Sequence, residues 1–152
     1  MSASSKLAEL GLTLPAVVPP LAAYVPAVRS GDLVFTSGQL PLVDGAMAHT
    51  GLVGSDVTPE QAKELARTCA LNALAAIDAV VGLDSVVKVV KVVGFVASAR
   101  GFAGQPDVIN GASELLGEVF GDAGRHARSA VGVAALPRMA PVEVEVIVEV
   151  SP

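Results

Sequence analysis

Arg128 and Glu143 are the two residues of this sequence whose types and settings each invite a chemical reading. Arg128 opens the apolar run Ala130-Val131-Gly132-Val133-Ala134, where an unpaired guanidinium is costly to bury. Its planar fork suits a bidentate grip on a carboxylate; an ordinary ion pair at a strand end is the competing reading. Glu143, in Val142-Glu143-Val144-Glu145, is either a solvated strand residue or a carboxylate facing a pocket. His126 lies in Gly124-Arg125-His126-Ala127-Arg128 and reads as a surface loop residue at the start of a strand. With His49 it makes only two histidines, too few for a histidine-rich metal site. The single cysteine, Cys69, allows no intramolecular disulfide and no Cys-based zinc site. Gly-x-Gly-x-x-Gly, the P-loop, Gly-x-Ser-x-Gly and His-Glu-x-x-His are all absent.

The elements that must position these residues are legible from spacing. Residues 1–20 give a short helix, about Ser5 to Leu10, then a run held extended by Pro15, Pro19 and Pro20. They form an N-terminal extension expected to pack on one main domain, residues 21–152. Tyr24 to Val28 and Leu33 to Ser37 flank a Ser30-Gly31-Asp32 turn and predict a hairpin. Asp44-Gly45 predicts a second turn, between Leu40–Val43 and Ala46–Ala48. Thr58-Pro59-Glu60-Gln61 supplies an N-cap, a first-position proline and a capping-box glutamine. Ala62, Leu65, Ala66, Cys69, Ala73, Ile77 and Val80 then recur at helical steps, and Gly82 ends the helix. Cys69 lies in that stripe and reads as a small buried hydrophobe.

Val86 to Ser98 is β-branched almost throughout and predicts a strand covered on both faces. Lys88 and Lys91 fall on opposite sides of it unless a bulge intervenes. A second helix is expected from Gln105 or Pro106 to Phe120, then strands from Arg128 to Ala134 and Val142 to Val150. The order is β-β-α-β-α-β-β, an α+β domain. Two helices can cover only one face of such a sheet. On the last strand Glu143 and Glu145 share a face with Ile147, a mixed surface of the kind buried by symmetric association.

Composition narrows the function classes. The chain has 152 residues, 52% of them hydrophobic and 16% charged, so one well-filled core is expected. Aromatics make up 3%, with no Trp, so that core is built from Val, Ala and Leu. A formal net charge of −5, without a basic stripe or stacking aromatics, argues against nucleic acid as a partner. No 18-residue apolar run and no signal-peptide pattern is seen, so no membrane partner and a cytoplasmic location are expected.

Four motifs in register resemble the YjgF/RidA family: Arg128-Ser129-Ala130-Val131, then Leu136-Pro137, then Val142-Glu143-Val144-Glu145, and upstream Ser37-Gly38-Gln39-Leu40-Pro41. Tyr24-Val25 and Asn110 match further family positions, so the resemblance runs from about residue 20 to 150. It implies a chorismate-mutase-like fold, a homotrimer and clefts between subunits. Active members hydrolyse reactive enamine or imine acids to 2-keto acids and ammonia. Carried over residue by residue, Arg128 clamps the substrate carboxylate and Glu143 activates the attacking water. Tyr24, Ser37, Gly38 and Asn110 shape the binding pocket, some from the neighbouring subunit; Ser129 and His126, on either side of the clamp, are further candidate binding residues. No metal or organic cofactor is implied, because an imino acid is already electrophilic and needs only anchoring, a placed water and proton transfer.

The sequence departs from the family pattern in four places. Ala130 stands where many members have cysteine, and Ala22-Ala23 where Gly-Pro is usual. The Leu10–Pro15 segment and the Gly111–His126 region are longer, which suggests a divergent longer subgroup. Two functions follow as expectations: an enamine/imine deaminase, or a regulatory module that binds a small carboxylate without turnover.

Overall fold

The computed structural model describes residues 1–20 and 22–152; Leu21, where the expected main domain begins, lies outside the described residues. The elements are α1 (Ala3–Glu9), β1 (Ala27–Ser30), β2 (Leu33–Thr36), α2 (Pro59–Val81), β3 (Val86–Ala97), α3 (Gln105–Phe120), β4 (Ala127–Val133) and β5 (Val142–Val150). The strands form one five-stranded sheet in the order β1-β2-β5-β3-β4. Only β3 and β4 run parallel, because α3 crosses between them. The sheet is therefore mixed, and after α1 the elements follow the expected β-β-α-β-α-β-β order.

α2 starts where its sequence says it should. Thr58 Oγ1 accepts from the Gln61 N–H at 3.1 Å, and Gln61 Oε1 accepts from the Thr58 N–H at 3.0 Å. Such a cap stabilises a helix by about 1 kcal/mol. Helices α2 and α3 lie on one face of the sheet. There Val34, Val92, Val142, Val144, Val146 and Val148 meet Ala66, Cys69, Ala73, Ile77, Ile109 and Leu116, all buried. The layers approach closely because side chains are missing where they touch. A Cβ on Gly94 would overlap the Ile109 side chain, and one on Gly111 would overlap the Lys63 carbonyl of α2. That seating fixes α3 on β3 and α2, beside the β4 strand where Arg128 stands.

Several expectations are corrected. α1 begins two residues before Ser5 because Ser2 caps it. The first strand begins at Ala27, not Tyr24, since Pro26 cannot donate to a ladder. Leu40–Val43 and Ala46–Ala48 form only the single bridge Val43–Ala46 around the Asp44-Gly45 turn. Val80 is 45% exposed at the end of α2 and does not continue the core stripe. Within one chain β3 is covered on one face only. Register shifts between Val86 and Lys88 and between Val89 and Lys91 place the lysines opposite Glu149 and Ile147, on one and the same face.

α1 inserts Ala3 and Leu7 into the main core, and the Ser4 N–H and hydroxyl donate to Asp84 Oδ1 at 2.8 and 2.6 Å. Among the described residues no helix is long and apolar enough to cross a membrane.

Candidate functional site

Arg128 is the second residue of β4, at the sheet edge, and its side chain lies on the face that carries the helices. It pairs in register with Val92, which pairs with the buried Val146. Its guanidinium donates to Asn110 Oδ1 at 2.8 Å, Ser113 Oγ at 3.2 Å and the Pro106 carbonyl at 3.3 Å. All three acceptors belong to α3 and all are neutral. Arg128 makes no ion pair among the described residues, whereas Arg67 meets Glu118 at 2.9 Å and Lys63 meets Glu114 at 3.2 Å. The strand-end ion pair is thus corrected: this guanidinium is oriented without being neutralised. Sequence reading supplied Asn110 but missed Ser113, although three residues on along a helix is the same face.

Glu143 belongs to a different cluster. It pairs with Phe95 on the face that no helix covers. Gly38 lies against its carboxylate: a Cβ there would overlap Glu143 Oε2 and come within 2.7 Å of Cδ. Gln39 locks this loop to β5, donating its N–H to the Val144 carbonyl at 2.8 Å and accepting the Val144 N–H at 3.1 Å. Ser37 turns inward, its hydroxyl donating to the Val25 carbonyl at 2.6 Å. Tyr24, exposed, borders a hollow of ≈ 20 Å³ with Gly38 and Gln39, room for about one water. Burial raises the Glu143 carboxyl above the ordinary glutamate range, and the carboxylate of Glu145 raises it further. A carboxyl so tuned is a better proton acceptor than an ordinary solvated glutamate.

The two clusters lie on opposite faces of the sheet, so one chain does not bring Arg128 and Glu143 together. Ser129 points away from Arg128: it pairs with Val93 on the open face and is exposed. His126 shares the Arg128 face. It is half-buried, its Nδ1 lies 3.0 Å from the Ala127 carbonyl, and it borders an open depression of ≈ 430 Å³ with Arg125, Arg128 and Ser113. His126 is thus the loop residue at the start of a strand that its sequence suggests, and it also borders the Arg128 depression. Burial pushes the Cys69 thiol well up, with the Glu143 charge adding to it, which makes this sulfur a core atom. Among the described residues no cluster of three or more His, Cys, Asp or Glu could hold a metal ion.

The fold is thus an α+β domain with an arginine free of ion pairs among the described residues at one sheet edge and a half-buried carboxyl on the open face. Residues 15–150 match the family model described as Endoribonuclease L-PSP, and the chain belongs to that family, the YjgF/RidA family. It is 45% identical to Protein TCP17 of Trypanosoma cruzi over 150 residues, 97% of this chain and 94% of the relative. It superposes on Atu1372 of Agrobacterium tumefaciens, a protein of unknown function, with a TM-score of 0.90 at 48% identity, covering 99% and 94% of the two chains. E. coli TdcF, solved with bound serine, gives a TM-score of 0.63 at 26% identity, covering 90% of this chain and 93% of that one. The E. coli YjgF gene product gives 0.63 at 27% identity with the same coverage.

Proposed function

We propose that the chain hydrolyses small reactive enamine or imine acids to 2-keto acids and ammonia, in clefts between the subunits of a homotrimer. The observation that carries this reading is the Arg128 guanidinium, aimed by three neutral acceptors and left unpaired among the described residues. In the cleft, Arg128 and Asn110 of one subunit hold the substrate carboxylate. Tyr24, Ser37, Gly38 and Glu143 of the next subunit face the imine carbon. The exposed Val28, Phe35 and Val131 on the open sheet face, at 51%, 39% and 44%, support such an assembly. The serine bound to TdcF, itself a carboxylate, supports the ligand class.

In the proposed chemistry, an enamine first takes a proton at carbon and becomes the imine. Water adds its oxygen to the C=N carbon, one water proton passes to Glu143, and the nitrogen is protonated. The tetrahedral carbinolamine then loses its hydroxyl proton, the C–N bond breaks, and ammonia leaves a carbonyl behind. Glu143, with its raised pKa, carries the proton between oxygen and nitrogen. The net reaction is imine plus water to keto acid plus ammonia, with no cofactor needed.

Ala130, which gives the Arg128 face no thiol, favours a second reading: carboxylate binding without turnover. RNA cleavage, named in the family description, fits less well with a net charge of −5 and 3% aromatics. The test is keto-acid and ammonia release from freshly generated 2-aminoacrylate, comparing parent, Arg128→Ala and Glu143→Ala. Acceleration by the parent that both variants lose supports the hydrolase. A folded oligomer that binds pyruvate but accelerates nothing leaves the binding module standing.

A further inference from the structure

A larger cavity lies away from the Arg128 depression and adjoins the Tyr24–Gly38 hollow, with which it shares Val18, Pro19, Pro20 and Leu42. It occupies ≈ 580 Å³ between α2 and the strap of residues 13–20, with the Val43–Gly45 turn and Arg138 closing it. That volume falls within the roughly 300–1,000 Å³ of small-molecule clefts. Its walls are mostly apolar: Val17, Val18, Leu42 and Leu71, with the strap prolines. Pro15, Pro19 and Pro20 keep the strap extended, so it cannot wind into a helix that fills the space.

Besides the hydroxyls of Thr13 and Thr68, three polar groups meet this apolar interior. Asn72 is 1% exposed, and its Nδ2 donates to the Leu40 and Leu42 carbonyls at 3.1 and 3.0 Å. Both amide hydrogens are thus engaged, so Asn72 can offer an occupant only its carbonyl oxygen, as an acceptor. Asp44 and Arg138 stand exposed at the mouth, both in the left-handed region, with φ of 52° and 58°. Arg138 Nη2 donates to the Gly45 carbonyl at 3.2 Å, which holds the guanidinium at the turn that carries Asp44. Neither charge makes an ion pair among the described residues. Two opposite charges at one mouth match a zwitterion, and the interior matches a large apolar side chain. The buried Asn72 carbonyl, as an acceptor in the lining, matches a distal N–H or O–H.

We propose that this cavity is a second binding site, for a free aromatic amino acid of the tryptophan or tyrosine type. Arg138 receives the carboxylate, Asp44 the ammonium, the Val and Leu walls the ring, and Asn72 the ring's N–H or O–H. The experiment is isothermal titration of the full chain with L-Trp, L-Tyr, L-Phe, tryptamine and indole-3-propionate. L-Trp or L-Tyr binds more tightly than L-Phe. Loss of either charge from the ligand weakens binding about tenfold or more, as for a lost charge-assisted hydrogen bond. Asp44→Asn and Arg138→Gln, both at exposed turn positions, each weaken it by a similar factor with Tm unchanged. Thr68→Trp fills the cavity and abolishes binding, while Arg128→Ala leaves it intact. No saturable heat with any of the five compounds up to their solubility limits overturns the proposal. So does binding indifferent to Arg138→Gln and Thr68→Trp, or binding lost in Arg128→Ala.

Discussion

The edge of β4 and the open face of β5 each carry one charged group of the candidate site, and they prepare it in opposite ways. At the β4 edge, α3 supplies only neutral acceptors, so Arg128 is fixed in direction and makes no ion pair among the described residues. On the open face, Glu143 is packed against the Gly38 loop and beside Glu145, so its charge is disfavoured rather than preserved. An anchor must stay charged; a proton carrier must be able to lose its charge. Each chain offers both halves, on opposite faces of one sheet, and a closed ring of copies can bring the halves of neighbours together.

That division is broken most sharply by complementation. Glu143→Ala should cost about 10²–10⁴-fold in imine hydrolysis, the usual worth of a placed general base. Arg128→Ala should also abolish most activity. When the two variants are mixed as unfolded chains and refolded together, about one site in four pairs an intact Arg128 with an intact Glu143 from the next subunit. Recovery to about a quarter of parental activity is expected. No recovery from well-folded mixed oligomers would mean that Arg128 and Glu143 of neighbouring subunits do not share a site.

Gly38→Ala should come next. Its Cβ overlaps Glu143 Oε2, so the carboxylate must move, and a displacement on the ångström scale is worth about 10²-fold. Activity should fall by roughly that factor while pyruvate binding, which rests on Arg128, holds. Equal loss of both would show that the two clusters are not separable. Asn110→Ala removes the shortest of the Arg128 hydrogen bonds and leaves Ser113 and Pro106 in place. A smaller effect is expected, a KM raised about tenfold at nearly constant kcat, which steady-state kinetics will read directly.

Much of this comparison was legible in the sequence because periodicity fixes faces. The alternation of Val142 to Val150 put Glu143 on the side of Ile147, and the capping box of Thr58 located α2 to the residue. What sequence left open was across-chain packing. Whether Arg128 had an acidic partner depended on which face of α3 reached β4, and that is set by Gly94 and Gly111 admitting Ile109 and Lys63. The facing of Lys88 and Lys91 likewise needed the bulges of β3, which no turn residue announces. Ser129 shows the opposite hazard: it lies within the same motif as Arg128, yet one residue along a strand is the other face.

The smallest expected effect concerns stability. Glu143 has its folded pKa raised, so folding favours its protonated form. The stability it contributes is fully present below the unfolded pKa and is lost as pH rises through the folded one. Glu143→Gln keeps a neutral, hydrogen-bonding side chain of the same shape at every pH. The variant should therefore gain in Tm over the parent as pH is raised from the acid side of the glutamate range to neutrality, and gain little at the acid end. Thermal melts of the two proteins across that window will show it. A difference that narrows toward neutrality would mean that Glu143 is stabilised as a carboxylate, by a cation this chain does not place beside it, and would move the proton-carrying role elsewhere.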